Sequence, residues 1–188
     1  GMEFATAAFH NSYYFHKDDN VITNKEEVCG DFEKLINLQL KEKHPKSWMR
    51  AFFNMGLINY IEGSRRMLPC QAGEMNFFVE PYGDIYPCNG LEKKYWKKSM
   101  GNIRETPNFK EIWEGEQAEQ VRQMVRRCPK NCWMVGTASP VMKKYIRYPL
   151  QWVIKNKMNS LLNKPLCLEK KWYDVGQDPE QGSLKEKL

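Results

Sequence analysis

The sequence predicts an α+β fold, a small cysteine-rich β-hairpin domain flanked by helices. Three observations carry this. Two short strand-forming runs, Met75 to Val79 and Ile85 to Pro87, flank Glu80-Pro81-Tyr82-Gly83, where proline fixes φ for a turn and glycine supplies the positive φ that follows. Apolar residues recur at helical spacing both before and after this hairpin. Four of the six cysteines form two pairs, Cys70-x17-Cys88 and Cys128-x3-Cys132. Folding the hairpin makes Cys70 and Cys88 neighbours, and x3 spacing lets one tight loop aim the second pair at one point.

In chain order, residues 3–15 are apolar and aromatic enough for a buried strand followed by a loop. His10 stands beside aromatics, where a packed or surface histidine is the ordinary outcome, and His16 and His44 carry no stronger signal. Asp18-Asp19-Asn20 breaks the chain. Thr23 or Asn24 caps a helix with Glu26 and Glu27 in its first turn. Phe32, Leu35, Ile36, Leu38 and Leu40 face inward along it to about Lys43, before Pro45. Cys29 reads as a small core residue of that helix. A second helix starts at Ser47, places Trp48, Phe52, Met55, Ile58 and Ile61 on one face, and stops at Gly63.

Beyond Cys88, Lys93, Lys94, Lys97 and Lys98 interleave with Tyr95 and Trp96. Basic residues mixed with aromatics suit nucleic acid, but no recognition motif accompanies them, so a solvated surface is expected and nucleic acid is not. Asn108 caps a short helix through Trp113, and Gln117 to Arg127 forms another with Val121, Met124 and Val125 inward, delivering Cys128. Arg126, Arg127 and Lys130 read as an exposed face. A last helical region starts near Ser139-Pro140 and breaks or kinks at Pro149. Its apolar stripe is Val141, Tyr145, Tyr148, Trp152, Ile154, Met158 and Leu161, opposite a lysine-rich face. That pattern favours packing on the core or on another subunit over a membrane surface. Cys167 stands alone, and the polar tail from Asp174 is expected to be disordered.

The 188 residues, 41% hydrophobic and 13% aromatic, suffice for one domain with a core and an appended piece. No apolar run approaches a bilayer span. The net charge of +6, from 29 basic and 23 acidic residues, is scattered and argues only weakly for an acidic partner. Six cysteines without an export signal favour a reducing, cytoplasmic setting. The paired cysteines then hold zinc or an iron–sulfur cluster, form disulfides after all, or serve only as packing. Structural zinc prefers two short knuckles and only one pair here is short, whereas clusters tolerate dispersed thiolates.

Cys70-x12-Gly83-x4-Cys88, followed by Gly101-Asn102-Ile103, Phe109-x2-Ile112-Trp113 and Cys128-x3-Cys132-Trp133, resembles the SPASM or twitch extension at the C-terminus of radical S-adenosylmethionine enzymes. The resemblance covers roughly residues 67–137. It implies one auxiliary [4Fe–4S] cluster, as in the shorter twitch type, with Cys70, Cys88, Cys128 and Cys132 as ligands. It further implies an upstream partial (β/α) barrel carrying S-adenosylmethionine and a second [4Fe–4S] cluster on Cys-x3-Cys-x2-Cys, a spacing absent from this sequence. On that reading residues 1–20 are a remnant of the barrel's last strand and loop, with His10, Asn11 and Ser12 near its substrate side. Residues 21–66 are connecting helices, 67–137 the cluster domain, 138–172 a helical region and 173–188 a tail. Gly1 before Met2 reads as the remnant of a cleaved tag. The expected partners are the barrel and an electron donor or acceptor protein. Apolar faces at 3–15 and 141–161, stripped of a barrel, also predict a homodimer.

Overall fold

The computed structural model describes residues 5–12, 15–17, 19–90 and 98–168. Its elements in chain order are α1 (Lys25–Lys41), α2 (Pro45–Ile61), β1 (Phe78–Val79), β2 (Asp84–Tyr86), β3 (Gly101–Asn102), α3 (Phe109–Glu114), α4 (Glu116–Arg126), α5 (Val135–Lys144) and α6 (Arg147–Leu161). They form two compact units. A helical unit holds α1, α2, α5 and α6, and a sheet-bearing unit holds the strands with α3 and α4. The α+β prediction holds at this level.

In the helical unit, α2 is the central element. It is buried on every side from Ala51 to Asn59, which the single face predicted for it does not anticipate. An all-round apolar helix is stable only when neighbours cover it, and α1, α5 and α6 do so. Phe52 meets Trp152 of α6 edge to face at 5.6 Å. The one fully buried amide on α2, Asn54, donates to Gln39 Oε1 at 2.9 Å and accepts from the Thr6 hydroxyl at 2.5 Å. Pro45 takes the first helical position, so α2 starts two residues before the predicted Ser47. Gly63, at φ +75°, ends it as expected.

Other differences have local causes. Leu38, predicted inward, is 65% exposed, because Gln39 and Leu40 take the buried positions of α1. Residues 5–12 form no strand. Ser12 makes an isolated bridge to Lys17, Phe9 is 72% exposed, and Ala8 is the segment's hydrophobic residue that packs on the helical core. Alternating aromatics make a strand only where a neighbouring strand offers hydrogen bonds. Residues 3, 4, 13 and 14 of that predicted strand lie outside the described residues, as do the Lys93, Lys94 and Lys97 stretch and the tail.

The last helical region starts at Val135 rather than near Ser139, so Pro140 falls inside α5. The carbonyl deprived of a donor there is that of Gly136, exposed to water. The break comes at Tyr145 and Ile146, and Pro149 sits in the first turn of α6, where its missing N–H is not needed. This break resets the helical phase. Trp152, Val153, Asn156 and Ser160 turn inward, while Ile154, Met158 and Leu161, read from the sequence as one stripe with Trp152, face solvent. Asn156 is tolerated inside because its amide donates to the Trp152 carbonyl and accepts from the Cys167 amide.

In the sheet-bearing unit, the predicted hairpin forms with Phe78 opposite Tyr86 and Val79 opposite Ile85. The short β3, not anticipated, adds to β2 with Asp84 opposite Asn102. Ile85, Met100, Ile112, Ala118 and Val121 make a small core beneath. Asn108 caps α3 as predicted, accepting from the Lys110 amide at 3.2 Å. Gly83 closes the turn at φ +96°, and a Cβ there would stand 2.8 Å from Asn102 Oδ1 and 2.9 Å from Arg104 Cγ. Gly83→Ala is expected to cost about 1–3 kcal/mol in strain. Faster hydrogen exchange at the Ile103 amide, which donates to the Gly83 carbonyl at 2.9 Å, would register it.

Candidate metal centre

Cys70, Cys88 and Cys128 belong to the sheet-bearing unit and Cys132 to the helical unit. Cys70 enters the hairpin through a tight turn in which the Gly73 amide donates to the Asn76 carbonyl at 2.7 Å. Asn76 then donates through its side chain to the Pro87 carbonyl at 3.2 Å, one residue before Cys88. The hairpin's two ends are thus tied together beside their cysteines. Arg122 of α4 donates to the Gly73 carbonyl at 2.8 Å and to the Trp113 carbonyl at 2.5 Å while stacking over Trp113 at 4.8 Å. It fastens α4 to the turn that follows Cys70. Cys128 leaves the end of α4 with its amide bonded to the Val125 carbonyl at 3.0 Å.

Cys132 is held by its neighbours. Asn131 donates through its side chain to the carbonyls of Ser64 at 2.8 Å and Tyr60 at 3.3 Å, past and at the end of α2. Trp133 is fully buried, stacks on Phe53, and donates through Nε1 to the Phe53 carbonyl at 2.8 Å. Its indole lies against Gly56, where an added Cβ would stand 2.0 Å from Cε2. Arg66 is buried and donates to three carbonyls, those of Leu68, Cys132 and Thr137, with its guanidinium 5.2 Å from the Trp133 ring centre. Burial first, then the Cys132 thiol, pushes the Tyr60 phenol above its ordinary pKa.

The cations noted beside the second pair are otherwise engaged or solvent-facing. Arg126 pairs with Glu119 at 2.9 Å and Glu74 at 3.1 Å, and its hydrogen bond holds the Glu119 carboxyl below its ordinary pKa. Arg127 is exposed. Asn11 accepts from the Asn20 amide and Ser12 exchanges backbone bonds with Lys17. Cys29 lies in the helical core, and Cys167 accepts from Lys155 Nζ at 3.0 Å.

All six cysteines are thiols, and the four of the two pairs are half-buried. Among the described residues, no three side chains of His, Cys, Asp or Glu gather closely enough to hold a metal ion. What fits is the donor chemistry: four soft thiols on short loops next to fixed secondary structure suit an iron–sulfur cluster, and suit zinc as well. Arg66, Asn131 and Gly56 had no sequence signal as supports, because each acts through backbone carbonyls or through the lack of a side chain. Trp133 did have one, by following Cys132 directly.

A helix-supported β-hairpin with cysteines at both of its ends, and a second cysteine pair after α4, make the stretch from Cys70 to Cys132 rich in thiols. Residues 70–134 match the family model of SPASM, an iron–sulfur cluster-binding domain. That match starts on Cys70 and ends just beyond Cys132, so all four cysteines lie within it. No curated protein and no solved structure matches the chain. Among the described residues, no helix is long and apolar enough to cross a membrane.

Proposed function

We propose that Cys70, Cys88, Cys128 and Cys132 together hold one auxiliary [4Fe–4S] cluster, and that the chain serves as the cluster-bearing part of a radical S-adenosylmethionine oxidoreductase. The supporting observation is the iron–sulfur domain match that spans both cysteine pairs. When bound, such a cluster supplies one-electron transfer or a point of attachment for substrate. The chain's own part is to present thiolates from fixed backbone. The Asn76 bond to Pro87 sets the first pair, the end of α4 sets Cys128, and the anchors Asn131, Trp133 and Arg66 set Cys132. Catalytic cluster, S-adenosylmethionine and substrate pocket belong on this reading to the barrel.

Protein purified and reconstituted without oxygen is expected to hold about four iron and four sulfide per chain. Cys128→Ala or Cys132→Ala should remove most of both, while Cys29→Ala and Cys167→Ala should keep them. Stoichiometric zinc without sulfide would instead make this a structural scaffold. Full iron in the Cys128→Ala and Cys132→Ala proteins would overturn the ligand set. With the barrel present, those two changes should leave cleavage of S-adenosylmethionine intact and sharply reduce substrate turnover.

A further inference from the structure

The phase reset at the start of α6 leaves an apolar line on the solvent side of a helix whose other side is already packed. Ile146, Leu150, Ile154 and Met158 follow one another at intervals of four, and Leu161 and Leu162 continue the line, all between 40% and 64% exposed. The cations near it in sequence, Lys143, Lys144, Arg147 and Lys164, fall in a stretch, residues 120–168, that contains no aspartate or glutamate. Lys143, Lys144 and Arg147 are themselves exposed. The neighbouring Lys157 is committed inward, donating to the carbonyls of Leu40 and Glu42 and lying over Trp48, so it does not count toward this face.

Within residues 120–168 the charged neighbours of this apolar line are all cations, which favours an anionic occupant. A second copy of the chain on the same face would set like charges against each other. A protein partner is usually anchored by tryptophan, tyrosine and arginine at the centre of its interface. Here Trp152 is turned into the core, and the line is aliphatic throughout. Aliphatic residues that sink to the boundary of headgroup and acyl chain, with lysine and arginine reaching anionic headgroups beside them, are the signature of a helix lying in the plane of a bilayer. We infer that the outer face of α6 docks the chain on an anionic lipid surface, without spanning it. The inference rests on the helical unit alone and is independent of the cluster assignment.

The 188-residue chain is mixed with phosphatidylcholine vesicles, with and without about 30% phosphatidylglycerol, and floated on a density gradient. Partitioning to the anionic vesicles is expected to exceed that to pure phosphatidylcholine by about tenfold or more and to weaken as salt is raised to about 0.5 M. The double variant Ile154→Gln with Met158→Gln should lower anionic partitioning by about tenfold, with an unchanged thermal midpoint, because both side chains face solvent. Lys143→Gln with Lys144→Gln should lower it less and flatten the salt dependence. Failure to float with anionic vesicles would overturn the inference, and so would flotation indifferent to the Ile154 and Met158 changes. Self-association abolished by the same double variant, without vesicle binding, would assign the face to a second copy instead.

Discussion

Gly56→Ala is expected to destabilise the helical unit by about 3 kcal/mol, although alanine is the better helix former by about 1 kcal/mol. The new Cβ would stand 2.0 Å from Trp133 Cε2 and 2.1 Å from Nε1. The indole has nowhere to move. It is fully buried, stacked on Phe53 and tied to the Phe53 carbonyl. Relief therefore requires α2 to shift or Trp133 to leave its site, and the second course drags Cys132 along. The urea midpoint should fall, tryptophan emission should move to the red, and iron retention should drop although no thiol has been touched. An unchanged midpoint with normal iron content would show that Trp133 does not fix Cys132.

Arg66→Ala is expected to be at least as severe, at about 4 kcal/mol. It removes a charged donor from three carbonyls and leaves acceptors in the interior without their partner. Arg66→Lys restores the charge without the planar fork, so no more than part of the loss should be recovered. Urea unfolding of both variants beside the parent protein tests this. If Arg66→Lys matched the parent, the geometry of the guanidinium would be irrelevant and only its charge would matter.

The parts of the fold legible in the sequence are those that short-range chemistry specifies. Glu80-Pro81-Tyr82-Gly83 announces its turn because proline fixes φ and glycine takes the positive φ that follows without strain, and Asn108 announces the start of α3 through a side chain that caps it locally. The spacing of the four cysteines pointed to an iron–sulfur domain, and the family match covers those residues. The rest depends on what packs against what. Two residues of β3 carry no periodicity, and they become a strand only because β2 offers an edge to Gly101 and Asn102. The inward face of α6 was misjudged because periodicity was carried through a break at Tyr145 and Ile146, after which Asn156 and Ser160 occupy positions an apolar count assigns to Ile154 and Met158. The supports of Cys132 were invisible for a different reason. A guanidinium that bonds three carbonyls looks in sequence like any surface arginine.

The clamp formed by Arg66 also bears on the entropy of closing the chain. The helical unit gives up the chain after Leu68 and takes it back at Lys130, so the segment with the hairpin and α4 is an excursion from a body built of residues on both sides of it. Holding the ends of such an excursion together costs about (3/2)RT ln n, roughly 4 kcal/mol for about sixty residues, before any contact inside it has formed. One side chain spans the place of departure and the place of return, bonding the carbonyls of Leu68 and Cys132. In the packed helical unit that loop is closed, so the two ends of the hairpin segment are held together. Its small core, centred on Ile85 and Met100, then has less lost freedom to offset than the same residues would have as a separate peptide.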